Sequence, residues 1–156
     1  MIQVLSDVGF NLTFMLGSGT PYTRHSAPYA LNGNAKSNIV GQINGSSKPW
    51  NFRSNLRVDK NIPLTWGKKD SENKKKADLN VYVQVLNLFN TRNILGVYAF
   101  TGNPDDDGYL TSSQAQQQLA LTNSPNAFID MYNIRMNNPG NYSLPRQTRI
   151  GLLFSF

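Results

Sequence analysis

The stretch from Trp50 to Trp66, WNFRSNLRVDKNIPLTW, alternates apolar and polar residues along its whole length. Seven of its nine even-numbered positions are apolar, whereas Pro63 is the only apolar residue at an odd-numbered position. Successive side chains of a β-strand point to opposite faces, while a helix of this sequence would scatter its apolar residues around the circumference. The stretch therefore predicts a strand with one apolar face and one polar face.

Three other segments show the same period of two. Apolar residues alternate with polar ones from Phe10 to Leu16, from Leu79 to Val85, and over the last thirteen residues of the chain, which begin at Leu144. The first segment could extend back to Val4. The second loses its phase at Leu86–Phe89, which predicts a bulge or a strand end there. The sequence thus predicts four strands.

Three unequal connections join the predicted strands. Gly17–Pro49 and Thr91–Tyr142 are long, while Gly67–Lys76 is short and rich in lysine. Loops longer than about 15 residues are uncommon in compact domains and are usually functional. A short turn at one end of antiparallel strands and long loops at the other is the arrangement of an outer-membrane β-barrel. Within the third connection, Ser112–Leu121 predicts a short helix.

The composition of the chain excludes several classes of protein. Charged residues make up 15% of it and aromatic residues 11%, which argues against intrinsic disorder. Asn occurs 20 times and Glu once, which argues against a helical protein. The absence of Cys and the presence of a single His exclude disulfides, thiolate zinc sites and His-paired metal sites. No apolar run is long enough for a transmembrane helix, and the residues after Met1 do not form a signal peptide.

The apolar face of the longest predicted strand has the dimensions of a membrane span. Phe52 and Leu64 are twelve residues apart, about 40 Å along a strand, or about 28–30 Å of depth at a tilt of about 45°. The apolar band of outer-membrane barrels is about 25 Å tall and ends in aromatic girdles. Trp50 and Trp66 stand where such girdles belong. Alternation alone is also typical of a soluble sandwich, so the aromatic ends and the chain terminus decide between the two interpretations.

The chain ends in Arg-Ile-Gly-Leu-Leu-Phe-Ser-Phe, which resembles the terminal assembly signal of bacterial outer-membrane barrels. That signal places a polar residue, a glycine and aromatic residues at fixed spacing and has an aromatic residue last. An edge strand with a fixed aromatic end can be paired by an assembly machine, whereas an open edge is otherwise an aggregation hazard. The residues that would form the signal here are Arg149, Gly151, Phe154 and Phe156.

Further motifs resemble one family more closely, the TonB-dependent outer-membrane receptors. The most specific is Asn87-Leu88-Phe89-Asn90-Thr91, followed by a final strand of the form Pro-Arg-x-x-x-x-Gly that begins at Pro145. The other matching segments are spread along nearly the whole chain: residues 17–23, 56–61, 92–93, 97–98, 101–104, 107–109 and 138–139.

The resemblance implies that residues 1–156 are the C-terminal portion of a receptor barrel, all-β and antiparallel, with the last four of about twenty-two transmembrane strands and long extracellular loops. Signal peptide, plug domain and the TonB-coupling segment are absent from the sequence. Such receptors import nutrients of the siderophore, oligosaccharide or peptide class with energy from the inner membrane, and lie in the cell outer membrane. The implied partners are the rest of the barrel and its plug, outer-membrane lipid, the barrel-assembly machinery and the TonB system. Whether a surface lipoprotein joins them, and which substrate is carried, stay open.

A periplasmic C-terminus would fix the topology. Gly67–Lys76 would then be a periplasmic turn, and residues 24–48 and 92–142 would lie outside the cell. Because the smallest transmembrane barrels need about eight strands, four strands require further strands for closure. We favour a longer chain over a barrel completed by a second polypeptide.

The alternation assigns the two faces of the sheet. The residues predicted to line the lumen are Arg53, Arg57, Asp59, Tyr82 and Arg149. The residues predicted to face lipid are Phe10, Leu12, Phe14, Phe52, Leu56, Val58, Val81, Val83, Ile150 and Leu152. Lys60 falls on the lipid side by parity, where a lysine near the midplane costs about 2–4 kcal/mol. Lys60 is therefore a misfit on this face, and a local bulge would relieve it.

Arg53 and Arg57 are four residues apart in the predicted strand and therefore share a face, about 13 Å from each other. We expect them to pair with carboxylates of the plug, or with Asp59 and residues of neighbouring strands. A structural role is favoured over substrate binding.

Other candidate sites are weaker. The five lysines between residues 68 and 76 are interrupted by acidic residues and lack interleaved aromatics, so a solvated turn is favoured and no nucleic-acid partner is predicted. Asp105–Asp107 could offer oxygens to Ca²⁺, but its spacing is not an EF-hand, so calcium stays open and no metal or cofactor is predicted. His25 has no evident acidic partner and a single Glu leaves no paired carboxylates, so no enzyme is predicted.

Two rival functions are kept. One is a different outer-membrane barrel, such as a porin-like channel or an adhesin. The other is a soluble basic β-module that binds an anionic polymer, which the net charge of +6 would favour. The second rival predicts binding to DNA that weakens steeply with salt.

Overall fold

The computed structural model describes residues 6–28, 39–66 and 75–156, with the side chain of Lys75 left out. The structure is mostly β, with 42% in strands and 20% in helices, and its sheets are antiparallel. The chain forms two compact units. We call them the sheet unit (Met1–Met15, Phe52–Thr91 and Leu144–Phe156) and the loop unit (Leu16–Asn51 and Arg92–Ser143).

The main sheet contains four long strands: β1 (Val8–Gly17), β6 (Asn51–Trp66), β7 (Lys75–Leu86) and β8 (Gln147–Ser155). Their order in the sheet is β1-β6-β7-β8. The four strands predicted from the alternation are therefore confirmed. The suggested extension to Val4 and most of the predicted turn at Gly67–Lys76 lie outside the described residues.

The boundaries of two strands differ from the prediction. β7 begins at Lys75, so two residues assigned to the lysine-rich turn pair with β6 instead. β8 begins at Gln147 and not at Leu144. Pro145 lies between those two positions and has no N–H group to donate to a ladder, which explains the later start.

The pairing of β6 with β7 continues without a break from Asn55↔Leu86 to Trp66↔Lys75. Lys60 lies opposite Val81 in this ladder, so the β6–β7 pair has no bulge at Lys60 that would relieve the misfit. The regular ladder keeps Lys60 on the same face as its apolar neighbours.

β7 ends where its alternation loses phase. Asn87 and Asn90 both have positive φ, 55° and 53°, which turns the chain out of the strand. Asn tolerates this left-handed region better than most residues because its short side chain can bond to nearby backbone. The strand end predicted at Leu86–Phe89 is confirmed.

The sheet unit has almost no apolar core. In the described part of the whole chain, the buried hydrophobic residues are Ala77 and Ala115, with 3% and 0% of their surface exposed. The largest fully buried side chains are polar, Asn87 and Ser54. Large apolar side chains therefore lie on the surface of the protein.

The loop unit contains short strands and two helices. β2 (Pro21–Tyr22) pairs with β5 (Ser46–Ser47), and β3 (Arg24–His25) pairs with β4 (Ile39–Val40). Turns of 3₁₀ helix at Tyr109–Thr111 and Pro139–Asn141 flank helices α1 and α2. Helix α1 spans Ser113–Leu121 and helix α2 spans Pro125–Met136.

Helix α1 was predicted from the sequence and α2 was not. The hydroxyl of Ser112 caps α1 by accepting a hydrogen bond from the backbone of Ala115 at 3.2 Å. Helix α2 begins with Pro125, a residue favoured in the first turn. No helix in the described part of the chain is long and apolar enough to cross a membrane.

Candidate functional site

The strand register gathers the apolar residues of the main sheet on one face. Directly opposed residues share a face, and the pairs on this face include Leu56↔Val85, Val58↔Val83, Val83↔Ile150 and Val81↔Leu152. The face is open to solvent: 68% of Phe10, 76% of Ile150 and 66% of Leu152 are exposed. We call this surface the apolar face.

Aromatic rings cluster at one end of the apolar face. The ring of Phe52 stacks on Phe14 at 6.3 Å and on Phe89 at 6.1 Å between centroids. The three rings come from β1, β6 and the turn after β7, so the cluster crosses three segments. Near the C-terminus, Phe154 and Phe156 lie 6.1 Å apart.

The opposite, polar face contains a packed group around Tyr82. The guanidinium of Arg57 lies over the Tyr82 ring, 4.3 Å from its centroid. Its Nε is 3.4 Å from Oδ1 of Asp59, so the contact expected between Arg57 and Asp59 is present. Asn80 donates from Nδ2 to the other carboxylate oxygen of Asp59 at 3.1 Å. A methyl group added at Gly151 would overlap the Tyr82 ring, so glycine makes room for it.

The other two arginines assigned to the polar face are more exposed. Arg149 donates to Oε1 of Gln147 at 3.4 Å, which is two residues away on the same strand. The side chain of Arg53 forms no hydrogen bond or ion pair with another described residue. The structure thus brings Arg57, Asp59 and Tyr82 together and leaves Arg53 outside that group.

The Asn-Leu-Phe-Asn-Thr motif forms a turn that its own side chains hold together. Nδ2 of Asn87 donates to the carbonyl oxygens of Thr91 at 3.0 Å and Leu144 at 3.1 Å, and its Oδ1 accepts from the backbone of Thr91 at 2.9 Å. Oδ1 of Asn90 accepts from the backbone of Arg146 at 2.9 Å. The two asparagines therefore tie the end of β7 to the segment that enters β8.

Three consecutive aspartates of the loop unit, Asp105, Asp106 and Asp107, form hydrogen bonds with tyrosine hydroxyls or with backbone N–H groups. The Tyr132 hydroxyl donates to Asp106 and Asp107, and the Tyr142 hydroxyl donates to Asp105. Asp106 also accepts from the backbone of Gly108 at 2.8 Å. No group of three or more His, Cys, Asp or Glu side chains that could hold a metal ion occurs among residues 6–28, 39–66 and 76–156.

Burial and the neighbouring aspartates raise the pKa values of two tyrosines of the loop unit. Burial raises the pKa of Tyr132, and its hydrogen bonds to Asp107 and Asp106 raise it further. Burial also raises the pKa of Tyr98, with the charges of Asp107 and Asp105 acting in the same direction. These phenols stay protonated and act as hydrogen-bond donors through the neutral range.

A cleft of about 840 Å³ opens in the loop unit. Sequence reasoning gave it no role. It is lined from β3, from the segment 97–100, from the aspartate loop and from both helices. The signal that could have found it is in α2, where Phe128, Met131 and Tyr132 follow helical spacing after Pro125. His25, treated as a surface residue in the sequence analysis, lines this cleft.

Comparisons with protein-family models, with curated proteins and with solved structures gave no match.

Proposed function

We propose that this chain is the C-terminal barrel segment of a TonB-dependent outer-membrane receptor that imports a nutrient of the siderophore, oligosaccharide or peptide class. It performs no catalysis and needs no cofactor. In the parent receptor it supplies barrel wall, two external loops and the assembly signal at Arg149, Gly151, Phe154 and Phe156. Its location is the cell outer membrane.

The observation that supports the proposal best is the exposed apolar face opposite a polar one. A protein in water gains roughly 25 cal/mol for each Å² of apolar surface that it buries. This sheet nevertheless leaves most of the large apolar side chains of the apolar face exposed, while Phe52, Leu56 and Val81 are half-buried. In an outer membrane the same apolar face would contact lipid chains instead of water. The residues that face lipid in the proposal are Phe10, Leu12, Phe14, Phe52, Leu56, Val58, Val81, Val83, Ile150 and Leu152.

The polar face then lines the lumen. Arg53, Arg57, Asp59, Tyr82 and Arg149 lie on that side. Arg57 and Asp59 partly satisfy each other, while Arg53 is available to a plug carboxylate. The lysine at position 60 stays on the lipid side in this arrangement and lowers stability there by about 2–4 kcal/mol if it lies at the midplane.

The edges of the sheet require more strands. β1 and β8 are the outer strands of the four-stranded sheet. Unpaired backbone groups in hydrocarbon cost several kcal/mol each, so a sheet in lipid closes into a barrel. The proposal therefore includes about eighteen further strands of the same receptor, which bring the total to about twenty-two.

Adjacent leucines on β8 give a matched test. Leu152 lies opposite Val81 on the apolar face and Leu153 lies opposite Asn80 on the polar face, with 66% and 52% of their surfaces exposed. Leu152→Lys puts a charge into lipid at a cost of about 2–4 kcal/mol, whereas Leu153→Lys puts it into the lumen. With both changes made in the parent receptor, we expect the first variant to reduce the folded protein in outer-membrane fractions several-fold and the second to leave it near the wild-type amount.

Equal behaviour of the two variants would contradict the proposal. Both positions are exposed, so a soluble sheet tolerates lysine at either one. Solubility without detergent, together with DNA binding that weakens steeply with salt, would instead support a basic β-module.

The reading frame upstream of Met1 tests whether this chain is part of a longer receptor. We expect it to continue through many alternating strands to a plug domain. A frame with alternating strands and no plug would favour a porin-like channel or an adhesin. A stop codon and ribosome-binding site just before Met1 would exclude transport by this chain alone.

A further inference from the structure

The cleft in the loop unit has the size and the lining of a small-molecule site. Such sites are usually roughly 300–1,000 Å³ and mostly apolar, with a few polar groups that orient the ligand. This cleft has a volume of about 840 Å³. Five aromatic residues contribute to its lining: Tyr98, Phe100, Tyr109, Phe128 and Tyr132.

The carboxylate of the cleft is already engaged. Asp107 is 6% exposed, and its Oδ1 accepts hydrogen bonds from the backbone of Tyr109 at 2.9 Å and from the Tyr132 hydroxyl. These bonds hold the aspartate loop in place. Asp107 is therefore occupied by the protein's own donors.

The basic groups of the cleft have no such partners. Arg135 lies in the last turn of α2, and its side chain forms no hydrogen bond or ion pair with another described residue. The main chain of His25 is fixed by its N–H group, which donates to the carbonyl of Ala99 at 3.0 Å, while its imidazole has no partner in the described chain. The cleft thus offers a free guanidinium next to aromatic surface.

We propose that this cleft binds a small organic anion with a flat apolar body, of which an aryl carboxylate is the simplest example. Arg135 pairs with the carboxylate, because a guanidinium matches that group with two parallel hydrogen bonds. The aromatic residues pack against the ring of the ligand. The inference depends on the lining of the loop unit alone and not on the membrane location of the sheet.

A pair of probes that differ in charge tests the proposal. Binding of 2-naphthoate and of the neutral 2-naphthalenemethanol to the full chain is measured by isothermal titration calorimetry in one buffer and one detergent. The carboxylate forms a charge-assisted hydrogen bond with the guanidinium that the alcohol cannot form, so we expect the carboxylate to bind at least about tenfold more tightly than the alcohol. Equal affinities for the two probes would overturn the proposal without any variant.

Three variants test which residues cause the binding of the probes and the preference for the carboxylate. Arg135→Gln is expected to remove most of the preference for the carboxylate, and Phe128→Ala is expected to weaken both probes. Arg24→Gln is the control, since Arg24 is an exposed arginine of the same unit that does not line the cleft. An unchanged preference in Arg135→Gln would overturn the assignment. Because binding is measured in solubilised protein, its failure is distinct from a failure of the membrane proposal.

Discussion

Asn87 is the residue on which the turn after β7 depends. It is 2% exposed, it has a φ of 55°, and its side chain bonds to both backbone groups of Thr91 and to the carbonyl of Leu144. A buried polar group that loses its partner costs about 1–3 kcal/mol. One side chain therefore forms hydrogen bonds with three backbone groups.

Replacement of Asn87 should lower stability through these bonds. We expect Asn87→Ala to lower the free energy of unfolding by about 2–4 kcal/mol, because it removes the hydrogen bonds and strains a position with positive φ. Urea unfolding of the refolded protein measures the change. Asn87→Gly keeps the backbone conformation and removes the bonds, so a glycine variant as stable as the wild type would contradict the role assigned to the amide. Asn133→Ala, at an exposed position of α2, is the control.

Tyr132 makes the stability of the loop unit depend on alkaline pH. Its pKa is raised by burial and by Asp107 and Asp106, whereas in the unfolded chain it is about 10. Below pH about 10 the phenol is protonated in both states and its contribution is complete. Above that pH the unfolded chain loses the proton first, so the free energy of unfolding falls as pH rises.

We expect Tyr132→Phe to be less stable than the wild type at about pH 8 by about 1 kcal/mol, the net contribution of a hydrogen bond. The difference in free energy of unfolding should narrow at about pH 10.5. Deprotonation of the phenol then favours the unfolded state of the wild type, while the phenylalanine variant has no phenol to lose a proton. Urea unfolding at the two pH values measures it. A gap that stays constant would contradict a raised pKa at Tyr132.

At the scale of elements, the pairing of β7 with β8 includes a close contact between a glycine and a tyrosine ring. Gly151 lies opposite Tyr82, and a side chain at Gly151 would meet the tyrosine ring on which Arg57 stacks. A small residue on one strand thus accommodates a large one on the next. The contact sets which residue types are accepted at these two positions.

Gly151→Ala should disturb this contact. We expect a loss of about 1–3 kcal/mol from overpacking, measured by thermal or urea unfolding. The loss should shrink when Tyr82→Ala is combined with it, because the obstructing ring is gone and the two changes are in direct contact. Additive losses in the double variant would show that the tyrosine ring is not the cause. Ser155→Ala, on the same strand and face, is the control.

The elements differ in how far the sequence predicted them. Strict period-two alternation predicted the four long strands, because one side of each is apolar and the other polar. The short pairs β2–β5 and β3–β4 have two residues per strand, too few for any period to be seen. The sequence of helix α2 has apolar residues at helical spacing, but the helix lies inside a connection that the strand pattern indicated as one long loop.

At the scale of the whole molecule, Phe156 allows the proposed role in assembly to be tested separately from stability. Phe156 is 99% exposed, so it packs little against the described structure. Removing its ring should leave the stability of the folded sheet within about 0.5 kcal/mol, as for most exposed positions. If Phe156 is part of the assembly signal, the same change should still impair assembly in the outer membrane.

We expect Phe156→Ala to reduce the amount of protein assembled in the outer membrane several-fold, with little change in unfolding of the refolded protein. Pulse-chase fractionation measures assembly and urea unfolding measures stability. Normal assembly of the variant would contradict the terminal signal. Phe89→Ala serves for comparison, since its ring stacks on Phe52 and its loss is expected to affect stability instead.

The sequence by itself determined the strands, their two faces and the strand end after Leu86, because these features depend on local alternation and on residues that favour a turn. The register of β6, β7 and β8 was decided only by the tertiary structure, since alternation assigns the faces of a strand but not which residues pair across it, and β8 also lies far from β7 in the sequence. It showed that the β6–β7 ladder is regular at Lys60 and that Gly151 faces Tyr82. The cleft, too, needed the fold, because His25, Asp107 and Arg135 are far apart in the chain and meet only when the two long connections pack into one unit.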